Sequence, residues 1–159
     1  PYAPEQINSM EFLLLDSQER RTIYQTSVEL TEQSGIIKIT IPSEPQYALK
    51  LNQTYRWRLN LDCKPDTTIE PDLVVDGWIR RIASSQSDNQ PAATLPDYYD
   101  DRDSGVWYDA INSLAELYFV NPEDPEINAA WTDLLESLGR SWVIEEPLVE
   151  SRLIPSTGD

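Results

Sequence analysis

Histidine is absent from this chain of 159 residues, cysteine and methionine occur once each, and glycine only five times. Each scarcity closes off a class of chemistry. Without imidazole, the usual Ser/His and Cys/His nucleophile pairs and the metal sites built on histidine are excluded. A lone Cys63 permits neither an internal disulfide nor a cysteine zinc site. It ends an apolar strand face before "KPD" and reads as a small buried hydrophobe rather than a nucleophile. The scattered glycines form no phosphate-cradling GxxxxGK[ST] or GxGxxG loop. No apolar run approaches the roughly 18 residues of a membrane-crossing helix, so no membrane insertion is expected. No secretory leader is read in the chain. Pro1 stands where Met would begin a nascent chain, which is expected of a processed or truncated one.

Positive charge is also scarce. Residues 1–81 carry nine Lys and Arg against twelve Asp and Glu, a net −3, and residues 82–159 carry three against sixteen, a net −13. So acidic a C-terminal half repels phosphate backbones and anionic membranes, and nucleic acid is not an expected partner. What the chain does have is 40% hydrophobic residues and five tryptophans, ample for a packed core.

The first half reads as strands. "MEFLLLD" (10–16) and "RTIYQTSVEL" (21–30) flank the turn-forming "DSQER" and suggest a hairpin. "GIIKITIP" (35–42) follows another polar turn. In "TYRWRLNLDC" (54–63), Tyr55, Trp57, Leu59 and Leu61 face one way and Arg56, Arg58, Asn60 and Asp62 the other, the alternation of a half-buried antiparallel strand. "DLVVDGWIRRI" (72–82) makes a fifth, with Gly77 a bulge or a point of close approach. Strands so spaced predict an α+β protein: an immunoglobulin-like antiparallel β-sandwich over residues 1–84, then an acidic helical hairpin.

Residues 85–103 are polar, hold two prolines, and read as a linker or long loop. Residues 104–159 are assigned to the hairpin and a C-terminal tail packed on the sandwich, the tail's end loose. Two helical periods stand out, Val106 to Tyr118 and Ile127 to Leu138. Asp124, Pro125 and Gly139 bound the second as N-cap, first-turn proline and C-terminal cap. Trp57, Trp78, Trp107 and Trp131 are assigned to the core. Trp107, Ala110, Ile111, Leu114, Trp131, Leu134 and Leu135 are expected to form one buried cluster joining helices to sheet.

Asp109, beside Trp107 and Tyr108, invites a catalytic reading, yet a carboxylate in a first helical turn is explained by the macrodipole. A glycosidase needs only a carboxylate pair, and among 28 acids some pair always lies at a workable distance. Asp101, Asp103 and Gly105 resemble the start of a calcium loop, but an EF-hand glycine would fall one place later and its twelfth position is here Asn112, not Glu. No catalytic residue, cofactor or metal is therefore assigned. Arg56 and Arg58, with Arg80 and Arg81, form the only basic concentration, read as a wet sheet face that contacts a partner or docks the acidic half.

The segments "FLLLDSQERRTIYQTSVEL", "GIIKITIP", "LNQTYRWRLNLDCKPD", "VDGWIRRI" and "GVWYDAINSLAELYFVNPEDPEINAAWTDLLESLG" resemble, in that order, the cyanobacterial domain of unknown function 928. The likeness covers most of residues 1–150. It implies a cyanobacterial source and an exported precursor, hence a periplasmic, cell-envelope or extracellular place, and it supplies no catalytic residues. The family's aromatic strand of the type "FWFYVPY-P" has no counterpart ahead of the first hairpin. A chain beginning at Pro1 would then leave a sheet edge unpaired beside Glu11, Phe12, Leu13, Leu14 and Leu15, open to a strand from another subunit. The function expected is a non-enzymatic interaction or assembly module with a protein partner or with itself. A carboxylate-dependent hydrolase acting on glycans is the second reading, and a small-molecule carrier the third.

Overall fold

A computed structural model describes residues 7, 9–29, 35–62, 71, 73–83, 94–149 and 152–155. Cys63 lies outside them. The chain divides into two units, Pro1–Ser84 with Val149–Asp159, and Ser85–Leu148.

The first unit is built on one antiparallel sheet of five strands, ordered β5-β4-β1-β2-β7. These are Ser9–Asp16 (β1), Thr22–Glu29 (β2), Thr54–Asp62 (β4), Leu73–Arg80 (β5) and Arg152–Pro155 (β7). Ile36–Ile37 (β3) and Leu148–Val149 (β6) are short strands outside that sheet. Alternation along the strands sets the register. Met10, Phe12 and Leu14 oppose Leu61, Leu59 and Trp57 on one side and Val28, Thr26 and Tyr24 on the other. All of these point to one core face, and burying each large apolar side chain there stabilises by roughly 1.5–3 kcal/mol. A one-residue slip would turn the whole set outward. Thr26, fully buried among them, donates its hydroxyl to the Ile154 carbonyl at 3.0 Å, tying β7 to β2.

Several expectations are corrected. The tail, expected to pack on the sandwich with a loose end, supplies a strand that was not expected, β7, because "RLIP" pairs along β2; residues 156–159 lie outside the described ones. Among the described residues the one further sheet is the pairing of β3 with β6, two residues each, so the second sheet expected of an immunoglobulin-like sandwich is not shown. Instead the segment from Ile37 to Leu49 lays Ile39, Ile41, Tyr47 and Leu49 on the core face with almost no strand pairing. Tyr47 meets Tyr24 edge-on at 5.0 Å between ring centroids.

The second unit holds three helices, Leu95–Asp103 (α1), Trp107–Val120 (α2) and Pro125–Ser137 (α3). Where a linker or loop was expected, α1 has a capping box of Thr94 and Asp97 at its start. It ends at left-handed Gly105, whose N–H donates to Arg102 while that of Val106 donates to Asp101, the two bonds of a Schellman motif. α3 repeats this ending. Asp124 accepts from Glu126 and Ile127 at its start, and left-handed Gly139 and Arg140 donate back to Glu136 and Leu135 at its end. Tyr98, Ala110, Leu114, Ile127, Ala130, Trp131, Leu134 and Leu135 are buried, and Tyr118 stacks on Trp131 at 5.2 Å. Trp107, expected in that cluster, is the first residue of α2 and 46% exposed. Ile111 is half-buried.

Candidate functional site

The outer face of the sheet carries the residues that alternation turns away from the core: Glu11 and Leu13 of β1, Arg56, Arg58 and Asn60 of β4, and Val74, Asp76, Trp78 and Arg80 of β5. Arg56 is the hub. Its Nε donates to Asp76 at 2.5 Å, its Nη1 pairs with Glu19, and its guanidinium lies 5.4 Å from the centre of the Trp78 ring. Asp76 and then Glu19 raise its pKa further above the ordinary arginine value. Arg58 reaches the other oxygen of Glu19 at 2.7 Å, and its enclosed Nε has no hydrogen-bond partner among the described residues. Glu11 accepts from Gln25 and from Asn60, spanning three strands.

Arg56 and Arg58 thus lie half-buried on the outer face, their charge matched by Glu19 and Asp76. Glu19 was not foreseen. It sits in the β1–β2 turn at φ 55, a conformation few non-glycine residues adopt, which aims its carboxylate across β4. The turn signal of "DSQER" was readable, the direction of one side chain was not. Arg80 shares the face, opposite Thr54. Arg81 turns the other way and donates to the Leu49 carbonyl at 3.0 Å.

Two expectations fail here. β1 is an inner strand, paired along its length with β2 and with β4, so no edge is open beside Glu11–Leu15. Phe12, Leu14 and Leu15 are buried and offer no docking surface. Trp78, expected in the core, is 51% exposed, because Gly77 takes the core-facing position and Trp78 the outer one. Trp57 does face the core, half-buried, across from Gly77.

The edges of the sheet are β5, of eight residues, and β7, of four, and β5 is the longer. Among the described residues no strand pairs with its outer side. Its register with β4 runs unshifted from Leu73 to Arg80, so no bulge bends it. It exposes Val74 (45%) and Val75 (42%) in addition to Trp78.

In the helical unit, Asp109 occupies the first turn of α2. The pKa of Asp101 is raised from the ordinary aspartate value, by burial first and then by Asp109, Asp97 and Asp100. No group of three or more acidic or cysteine side chains among the described residues is arranged to hold a metal ion. The helical course of α1 takes Asp97, Asp100, Asp101 and Asp103 out of the calcium-loop geometry. No described helix is long and apolar enough to cross a membrane.

A family model for a domain of unknown function, DUF928, matches residues 1–148. No curated protein and no solved structure matches the chain.

Proposed function

The chain belongs to the DUF928 family, and from its geometry we propose that it is a non-enzymatic interaction module that binds a protein partner along the outer edge of β5. One observation carries this reading: an eight-residue edge strand, free of proline and lysine, that exposes Val74, Val75 and Trp78. Folded proteins usually guard such edges with lysine, proline or a bulge, because unpaired backbone groups recruit another strand. The family resemblance supports, as part of the same proposal, a setting in an exported assembly of a cyanobacterial cell envelope or exterior.

The test is a photo-crosslinking residue at Val74, introduced in the native host. A single recurrent protein adduct on β5, lost when Val75 and Trp78 are both replaced by Lys, is the expected result. Absence of any adduct overturns the reading.

One observation favours the glycan-hydrolase alternative. A glycosidase pairs two carboxyl groups, one of them with a raised pKa, and the pKa of Asp101 is raised by burial and then by Asp109, Asp97 and Asp100. Asp101 and Asp109 sit on successive helices next to exposed Tyr99, Trp107 and Tyr108. Hydrolysis of a glycan by the purified protein, abolished in Asp101→Asn, would establish it.

A further inference from the structure

We propose that the occupant of the β5 edge is β5 of a second copy of this chain, paired antiparallel about a two-fold axis at Trp78, so that Asp76 of each copy faces Arg80 of the other. This rests on the interaction reading above and names its partner.

The register follows from the strand itself. In one continuous antiparallel sheet, directly opposite residues share a face, so an outer-face residue must meet an outer-face residue. A two-fold axis must then pass through a residue rather than between two. An axis at Asp76 sets Asp76 against its own copy, and one at Arg80 sets Arg80 against its own copy. Both oppose like charges. Axes at Val74, Val75, Gly77 or Ile79 leave Asp76 and Arg80 without each other. The axis at Trp78 alone brings them together, twice, because they lie two residues to either side of Trp78 on its own face. It also sets exposed Val74 opposite exposed Ile82 of the second copy, and the two indoles against each other.

Self-complementarity is what a two-fold interface demands and what an unrelated strand partner does not. Among the described residues the Arg56 contacts of Asp76 use Oδ2 alone, which leaves Oδ1 for the second copy. The charges that would guard an edge against pairing are, in this register, the ones that select it.

Sedimentation equilibrium of the full chain tests the idea. The expected result is a concentration-dependent dimer. Arg80→Asp and Asp76→Arg should each weaken it by about tenfold or more, because each replaces two opposite-charge pairs by two like-charge pairs. Mixed in equal amounts, the two variants should recover dimerisation as a heterodimer. Asp76→Arg also disturbs Arg56, so a second route avoids charge altogether. In a Cys63→Ser background, Trp78→Cys should form an interchain disulfide, since residues directly opposite across an antiparallel pair lie at roughly 4.5–5.5 Å between Cα atoms, within disulfide range. An equimolar mixture of Val74→Cys and Ile82→Cys should cross-link as well, and Val74→Cys alone should not.

A chain that stays monomeric at roughly 100 μM overturns the proposal, since a weaker pair could not serve as a specific assembly contact. Disulfide formation by Val74→Cys alone, in preference to Trp78→Cys, overturns the register. If the monomer still gives β5 photo-adducts with a different protein, self-pairing fails while the interaction reading stands. If it gives none, both fail.

Discussion

The indole of Trp57 lies over Gly77 so closely that a Cβ placed on the glycine would come within 2.7 Å of the tryptophan Cζ2. The two residues are directly opposite on β4 and β5 and share the core face. Glycine is required there because the ring occupies the volume of a side chain. Gly77→Ala should therefore destabilise the first unit by about 1–3 kcal/mol, the usual penalty for overpacking. In a Trp57→Leu background the same change should be nearly neutral. Urea denaturation of the four members of that cycle checks the coupling, and additive effects would show that the contact is not the reason for the glycine.

Trp131 and Trp107 belong to the same helical unit but differ in what surrounds them. Trp131 is 2% exposed and stacked on Tyr118, whereas Trp107 begins α2 in solvent. Trp131→Ala should destabilise by about 3–5 kcal/mol. Trp107→Ala should change stability by less than about 1 kcal/mol, as expected away from the core. Thermal unfolding followed by circular dichroism distinguishes them, and equal losses would place Trp107 in a contact that its exposure does not show.

Much of this was legible in the sequence, for local reasons. The faces of β4 and the caps of α3 followed from alternation and from Asp124, Pro125 and Gly139, because a side chain's direction and a helix end are decided within a few residues. α1 was legible too and was missed. "TLPD" and "DSG" carry its capping box and its left-handed glycine, within a segment whose polar composition is that of a loop. The place of β1 was not legible. Its apolar run fits an edge or an inner strand equally, and only the long-range return of β4 decides between them. Likewise, alternation puts Trp78 on the face opposite Trp57, but the exposure of that face is a tertiary fact.

Glu19 joins two costs of different kind. It holds Arg56 and Arg58 together, and it does so from a left-handed backbone conformation. That conformation disfavours a non-glycine residue by about 1 kcal/mol. The ion pairs are partly exposed and worth about 1 kcal/mol or less each. Glu19→Ala keeps the strain and loses the pairs, so it should destabilise by about 1–2 kcal/mol. Glu19→Gly loses the pairs but relieves the strain, and should destabilise less. Guanidinium denaturation is unsuitable because it screens ion pairs, so urea midpoints at low salt are the measure. If the glycine variant is the weaker of the two, the turn is not strained.

Asp101 should make stability depend on pH in the direction opposite to a salt-bridged carboxylate. Burial and then the nearby Asp109, Asp97 and Asp100 raise its pKa in the fold. The native state thus keeps a proton that the unfolded chain has already released. Stability is favoured at acidic pH and falls as pH rises from the ordinary aspartate value through the raised one. Above that window the ionised carboxylate is a standing penalty, increased by its place in the last turn of α1, where the helix dipole disfavours negative charge. Asp101→Asn removes the charge with little change in size or helix propensity. It should gain up to about 1 kcal/mol at neutral pH, the scale of partly exposed charge interactions. The gain should vanish once the pH falls below the ordinary carboxylate range. Urea midpoints of the variant and the parent at neutral and acidic pH give the comparison. A gain of equal size at both would assign the effect to packing, and a loss at neutral pH would mean that the carboxylate is held by a favourable contact.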